Sequence, residues 1–272
     1  MRKERKHTRQ FMAVLIALIL IFFSITPAVA EDDEKPTADL SVSVLSAYIW
    51  RGQELSKDSA VVQPSMTVGY KGFSANMWGN LDTDPYSTTA GVDNPSKWNE
   101  TDLTLSYSRS CGIFNVGGGY IYYGLDGAKD SQEVFLNLGL DTLLSPSLTA
   151  YRDVGSYPHW YFLLGISHSF KVTEKVSLEL AASASYLKSE DSDDYPEIND
   201  SGASTGNKFE NFHDGVISAS LPISVAKYIS VTPVVSCAFP LSGDAGDEMK
   251  YHSKKGDDNV FVFGGLTLSM AF

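Results

Sequence analysis

Eight charged residues stand within or beside segments in which apolar and polar side chains alternate. They are six acids and two bases: Arg51, Lys71, Asp82, Asp102, Glu133, Asp141, Glu179 and Asp214. Charged side chains that line a water-filled passage select ions by their sign, so the excess of acids predicts a weak preference for cations. Because charges shielded from water must be paired, the same residues could instead form salt bridges that close the passage.

One group of residues could also be drawn as a hydrolase triad. It combines His213, Asp214 and one of the many nearby serines. Adjacent side chains of a strand point to opposite faces, so we predict that His213 and Asp214 do not meet. An enzyme is therefore not expected, and a hydrolase is kept only as a remote alternative.

Acidic residues also cluster between Glu190 and Asp200, inside the long segment from Ser189 to Glu210. They lack the spaced ligands and the glycine of a calcium loop. The chain has no zinc-ligand spacing and no phosphate-binding glycine motif. We therefore predict no metal and no cofactor.

The elements that must position these residues alternate with period two. The last of them, Val260 to Phe272, sets Val262, Leu266 and Leu268 against Thr267 and Ser269. This period indicates a strand with one apolar and one polar face. A terminal Phe after such a strand is typical of bacterial outer-membrane β-barrels.

Twelve such segments follow one another from Ala38 onward. Five connections are short, near Gly72, Gly112, Pro146, Thr173 and Ala226, and they alternate strictly with six connections that are mostly longer and polar. All long loops then lie at one end, which is the signature of a membrane barrel. We predict an all-β chain, a 12-stranded antiparallel transmembrane β-barrel over residues 38–272. The alternative is a secreted β-sandwich, whose loops would not sort by length.

Aromatic residues are predicted to form two girdles at the membrane interfaces. The long-loop ends carry Tyr48, Trp50, Tyr122, Trp160 and Tyr186. The short-turn ends carry Tyr70, Phe73, Tyr107, Phe114, Phe170, Tyr228 and Phe272.

The first residues have the pattern of a secretion signal. A basic start precedes the apolar run Phe11 to Phe23, and Ala28 and Ala30 supply small residues for cleavage. We predict a signal peptide over residues 1–30, cleaved after Ala30, and an acidic tail over residues 31–37. The chain has a formal net charge of −12, and loss of the basic leader makes it more acidic. Such a surface repels nucleic acid.

The opening of the predicted barrel resembles the TorF-type porin family of proteobacteria. The matching features are an aromatic residue, Trp and Arg-Gly at the end of the first strand, a Pro in the second strand and Trp-Gly in the third. These correspond to Tyr48, Trp50, Arg51, Gly52, Pro64, Trp78 and Gly79. The resemblance covers about a fifth of the chain and implies a pore. Scaffolding barrels of the MipA/OmpV type share the Arg-Gly and remain an alternative.

These observations predict a passive porin of a Gram-negative outer membrane that passes small hydrophilic solutes. Inward positions are mostly small or polar, which favours a wet lumen. The alternative is a closed barrel that serves as a scaffold or surface antigen. The expected partners are outer-membrane lipid, lipopolysaccharide at the acidic loop, and the barrel assembly machinery through Phe272.

Overall fold

A computed structural model describes residues 35–56, 59–85, 96–253 and 258–272. Residues 36–272 form one compact unit. The predicted signal peptide and cleavage site, and residues 31–34 of the predicted tail, lie outside the described residues. Among the described residues, no helix is long and apolar enough to cross a membrane.

Antiparallel strands make up most of the described chain. In chain order the elements are β1 (Thr37–Leu45), β2 (Ile49–Trp50), β3 (Gln53–Glu54), β4 (Val61–Tyr70), β5 (Phe73–Asp82), β6 (Lys97–Cys111), β7 (Phe114–Leu125), β8 (Ser131–Leu140), β9 (Ser147–Asp153), β10 (His159–Lys171), β11 (Ser177–Ser189), β12 (Pro196–Ile198), β13 (Ser204–Lys208), β14 (Glu210–Ser220), β15 (Ile223–Ala226), β16 (Ile229–Pro240), α1 (Gly243–His252) and β17 (Phe261–Ala271).

Twelve of these strands close into a barrel. They are β1, β4 to β11, β14, β16 and β17, and each pairs with the next along the chain. The β14–β16 pairing continues the sheet, and β1 pairs with β17 from Asp39↔Ala271 to Leu45↔Gly265. No strand edge of the wall is left open, because the first and last strands meet. The predicted 12-stranded antiparallel barrel is confirmed.

The closing seam depends on a glycine. A Cβ atom at Gly265 would lie 1.9 Å from the carbonyl oxygen of Val44 on the paired strand. Any side chain at this position would therefore force β1 and β17 apart.

Period-two alternation sorts the side chains of the wall into two faces. The outer face is apolar and exposed, as in a barrel that contacts lipid. Its members include Leu40, Val42, Val44, Met66, Val68, Met77, Leu103, Leu105, Leu136, Leu138, Leu164, Ile166, Leu180, Ile217, Val235, Leu266 and Leu268. The inner face carries mainly small or polar residues, which pair across strands.

The ends of the barrel differ as the connection lengths predict. Short turns at one end expose Tyr70, Phe73, Phe114, Phe170 and Phe272. The other end carries the β2–β3 hairpin, the β12–β13 hairpin and α1. The segment after β16 is thus partly helical, whereas the sequence pattern indicated only a loop.

Two members of the predicted long-loop girdle lie inside the barrel instead. The first strand ends at Leu45, before Tyr48 and Trp50, so these two residues do not continue its lipid face. Tyr48 is only 9% exposed and packs on the inward-facing Trp78, with ring centroids 5.6 Å apart. The prediction for Tyr48 and Trp50 is wrong because the chain bends inward after β1.

Candidate functional site

The β2–β3 hairpin carries its turn into the barrel. Arg51 and Gly52 connect the two strands with φ angles of 48° and 77°, the left-handed pair that a tight hairpin turn requires. A Cβ atom at Gly52 would lie 3.2 Å from Asp214 Cβ and from Met249 Cγ. The close approach and the positive φ both require glycine, and together they place Arg51 against the inner wall.

Arg51 forms the centre of a buried cluster. Its guanidinium donates to both carboxylate oxygens of Glu133, with Nη1–Oε1 at 2.7 Å and Nη2–Oε2 at 2.8 Å. Its Cζ atom lies 4.2 Å from the Tyr161 ring centroid, 4.5 Å from that of Trp50 and 4.9 Å from that of Tyr151. The charge is therefore held by one fork-like ion pair and by three aromatic rings.

The electrostatics of this cluster favour a permanent charge on Arg51. Burial alone would lower the pKa of its guanidinium, but the carboxylate of Glu133 raises that pKa above its ordinary value. His159 donates from Nδ1 to the carbonyl oxygen of Tyr157 at 2.6 Å, so its Nε2 can accept from Arg51 at 3.1 Å. Tyr123 donates its hydroxyl to Glu133 at 2.9 Å.

His213 and Asp214 do meet inside the barrel, contrary to the prediction. A β-bulge between β11 and β14 shifts the register between Ala184 and Tyr186. The extra residue turns both side chains inward, where His213 Nδ1 lies 3.0 Å from Asp214 Oδ1. The alternation rule fails here because it holds only for an uninterrupted ladder.

The contacts of this pair do not form a hydrolase triad. Ser185 donates to Asp214 Oδ1 at 2.7 Å, and His213 Nε2 lies 3.0 Å from Glu248 Oε2. A triad needs the serine on the histidine, whereas here the histidine is occupied on both nitrogens by carboxylates. The arrangement is that of a fully bonded buried network.

Glu248 of α1 is hydrogen-bonded to two other loops and to His213 of the wall. The helix starts at the N-cap Ser242, whose side chain accepts from the amide of Ala245, and it buries Met249 and Glu248. Glu248 Oε1 accepts from Gln53 Nε2 and from the Tyr195 hydroxyl, both at 3.0 Å. Its carboxylate therefore connects α1 with the β2–β3 hairpin, through Gln53, and with the segment between β11 and β12, through Tyr195.

The charge of Glu248 is stabilised by histidine. Burial would raise the pKa of this carboxyl, but the facing His213, with a further contribution from His252, holds the pKa below its usual range. The sequence pattern did not single out Glu248, Gln53 or Tyr195. The sequence does contain a pattern that indicates the helix carrying Glu248: Ser242 can act as its N-cap, Asp244 follows in the first turn, and Lys250 and His252 lie in the last turn.

The eight predicted site residues occupy three places. Arg51, Glu133 and Asp214 are brought together, because Tyr161 packs on Arg51 and donates to Asp214 at 2.9 Å. Asp82 and Asp102 lie on the inner face nearby. Asp82 accepts from Ser59 at 2.6 Å, and Asp102 Oδ1 is buried without a hydrogen-bond partner among the described residues.

The remaining three lie towards the short-turn end. Glu179 faces inward on β11, where Ser220 donates to it at 3.4 Å. Lys71 and Asp141 are exposed residues of the turns that follow β4 and β8. These three are separated from the Arg51 cluster by most of the barrel's length.

A cavity of about 580 Å³ opens at the long-loop mouth, beside the Arg51 cluster. Its lining includes rings and carboxylates from the wall, such as Tyr123 and Glu100, and from the loops, such as Trp50, Tyr195 and Asp194. Among the described residues, no group of three or more His, Cys, Asp or Glu could hold a metal ion.

Comparison with known proteins supports the fold. No protein-family model matches the chain, and no curated protein matches it. The NanC porin structure aligns with a TM-score of 0.51 at 10% identity, covering 86% of this chain and 98% of that one. The COG4313 outer membrane channel from Pseudomonas putida F1 aligns with a TM-score of 0.45 at 8% identity, covering 90% and 100%. The NanC alignment and the closed twelve-stranded wall together show that the chain has the fold of an outer-membrane β-barrel.

Proposed function

We propose that this protein is an outer-membrane channel through which small hydrophilic solutes pass passively, with a weak preference for cations. The observation that carries the proposal is a closed twelve-stranded wall with a polar inner face, which leads to an acid-lined cavity at the long-loop mouth. A barrel of this size lies between the filled eight-stranded kind and the open channels with sixteen or more strands. A narrow passage is the expected result.

The preference for cations follows from the balance of charge along the inner face. Glu133 is neutralised by Arg51, but Asp102 has no basic partner among the described residues. We assign the pore lining to Arg51, Lys71, Asp82, Asp102, Glu133, Asp141, Glu179 and Asp214, with Lys71 and Asp141 at the inner rim. Rings of acidic side chains in a pore raise the local concentration of cations.

The outer membrane is the proposed location, because the outer face is apolar and the fold is that of outer-membrane barrels. We also propose that the Glu190 to Asp200 segment contacts lipopolysaccharide and that Phe272 is read by the assembly machinery. The TorF-type resemblance agrees with a pore, although no family model matches the chain.

Single-channel recording tests the proposal. The protein is purified from outer membranes, inserted into a planar bilayer and recorded in a salt gradient, with the reversal potential as the readout. Discrete current steps with a cation-biased reversal are expected. Asp102→Asn and Glu133→Gln should reduce that bias, whereas Glu174→Gln, in an exposed short turn, should leave it unchanged.

A specific observation favours a second candidate, a closed scaffold barrel. Arg51 pairs with Glu133 in the mouth, and Tyr195 donates directly to Glu248, which is completely buried. If these loops stay in place, the barrel is plugged. A correctly folded barrel that gives no current steps in the bilayer would contradict the channel and support the scaffold.

A further inference from the structure

The cavity at the long-loop mouth combines aromatic rings with carboxylates. The rings that line it are Tyr48, Trp50, Tyr123, Tyr157, Tyr195 and Tyr251. The carboxylates include Glu100, Asp126, Asp153, Asp193 and Asp194. Ring faces and carboxylates both attract positive charge, and neither favours an anion. A volume of about 580 Å³ lies within the range of small-molecule pockets.

Much of the negative charge in the cavity is not neutralised by the protein. Lys97 pairs with Asp126 at the rim. Glu100, which is 8% exposed, shares a hydrogen bond with Tyr48 but forms no ion pair within the described residues, and neither do Asp193 and Asp194. Two residues further along β6 and outside the lining, Asp102 Oδ1 is buried with no hydrogen-bond partner in the same described part of the chain. Glu100, Asp193 and Asp194 therefore line the cavity without a basic partner in the described part of the chain.

The neighbouring Arg51 shows what such surroundings can hold. Its planar cation lies within 4.9 Å of three ring centroids and is paired with one carboxylate. Trp50 belongs both to this cluster and to the cavity lining, so the two sites are adjacent. The mouth thus already stabilises one organic cation, supplied by the chain itself.

We propose that the cavity binds small organic cations of the alkylammonium class and selects them at the mouth of the barrel. Rings supply cation–π contacts to the methylated head, and Glu100 with Asp193 and Asp194 supplies the opposite charge. The role in uptake rests on the proposed channel function, whereas the binding itself does not.

Isothermal titration of the purified protein in detergent tests the binding, with choline chloride as the probe at constant ionic strength. The matched control ligand is 3,3-dimethyl-1-butanol, which has the shape of choline without its charge. Saturable binding of choline is expected, together with at least tenfold weaker binding of the neutral compound. Equal affinity for the two compounds, or no saturable heat with choline, would overturn the inference.

Two variants locate the site. Glu100→Gln should weaken choline binding about tenfold, and the double variant D193N/D194N, which changes loop residues near solvent, should weaken it at least threefold. Glu174→Gln, at the opposite end of the barrel, is the matched charge-removal control and should bind as the parent does. If Glu100→Gln does not fold, as judged by heat-modifiable migration on a gel, the loop variant alone decides; unchanged affinity there would refute the assignment.

Bilayer recording separates this inference from the channel proposal. Current steps without choline binding would overturn the inference and leave the channel in place. Choline binding without current steps would support the site and contradict the channel.

Discussion

The two halves of the lumen are built from different interactions. Towards the short turns, uncharged side chains bond across adjacent strands, as Ser74 does with Ser106 at 2.7 Å and Asn76 with Thr67 at 2.8 Å. Towards the long loops, charged groups are buried and are held by segments distant in sequence, such as Arg51 with Glu133. The first half follows from strand register alone, whereas the second requires the loops to fold inward.

Changing Arg51 should give the largest difference between the two halves of the lumen. Arg51→Ala leaves the buried Glu133 without its counter-ion, and breaking a buried pair costs about 3–5 kcal/mol. We expect a loss of this size in the free energy of unfolding, measured by urea titration in detergent micelles, and larger single-channel conductance. Lys175→Ala, in an exposed short turn, is the control and should change neither.

A double variant sharpens this result. Arg51→Met combined with Glu133→Leu removes both charges together, so neither residue is left as the unpaired half of a broken ion pair. It should recover most of the stability that Arg51→Ala loses. If Arg51→Ala were as stable as Lys175→Ala, the mouth would not be held together by this pair.

Acidic pH should lower the stability of the loops at the mouth before it affects the strands of the wall. The pKa of Glu248 is lower in the folded protein than its ordinary value of 4.5, because His213 and His252 face it. A lowered folded-state pKa contributes stability above the ordinary value, and this contribution is lost as pH falls through the folded pKa. Urea titrations from pH 7 to pH 3 should therefore show a decline that begins below about pH 4.5.

Glu248→Gln provides the check on that assignment. It should lower the stability at pH 7 by about 1–3 kcal/mol and make the pH dependence flatter than in the parent. Asp244→Asn, on the exposed side of α1, should keep the parent's slope. An unchanged slope in Glu248→Gln would place the acid sensitivity elsewhere.

Tyr195→Phe should give a smaller effect in the same region. The hydroxyl accepts from Gln53 at 2.8 Å and donates to Glu248 at 3.0 Å. Its removal keeps the ring and costs about 1 kcal/mol in the free energy of unfolding. A loss as large as that of Arg51→Ala would mean that the loops are joined chiefly through this residue.

The smallest effect is expected in the other half. Ser74→Ala removes a hydroxyl whose partner, Ser106, can bond to water in the lumen instead, so the cost should be about 0.5 kcal/mol or less. The same urea titration measures it. A cost above that of Tyr195→Phe would contradict the division of the lumen into two kinds of polar structure.

Sequence reasoning could predict the wall because its pattern is local. Leu103 and Leu105 against Asp102 and Thr104 specify a strand with an outer and an inner face whatever the rest of the chain does. The same argument identified Glu133 and Asp102 as inward residues. It also identified the two kinds of connection, because short turns and polar loops differ in composition.

The mouth could not be predicted in this way. Arg51 and Tyr195 lie in connections without a period, and their inward position depends on partners more than 80 residues away. The bulge that joins His213 to Asp214 leaves no mark on the apolar pattern of β14. The helix α1 contains two glycines, Gly243 and Gly246, which lower its helix propensity. The segment therefore has the composition of a loop although Ser242 can cap a helix.

The glycine seam between β1 and β17 has a consequence for the nascent chain. Ser43 and Thr267, which share a hydrogen bond across this seam, are 224 positions apart in sequence. Until the last strand is present, both margins of the growing sheet expose unpaired backbone groups beside a row of apolar side chains. Such margins pair readily with other chains. Pairing of β1 with β17 therefore removes both exposed margins in a single closing step.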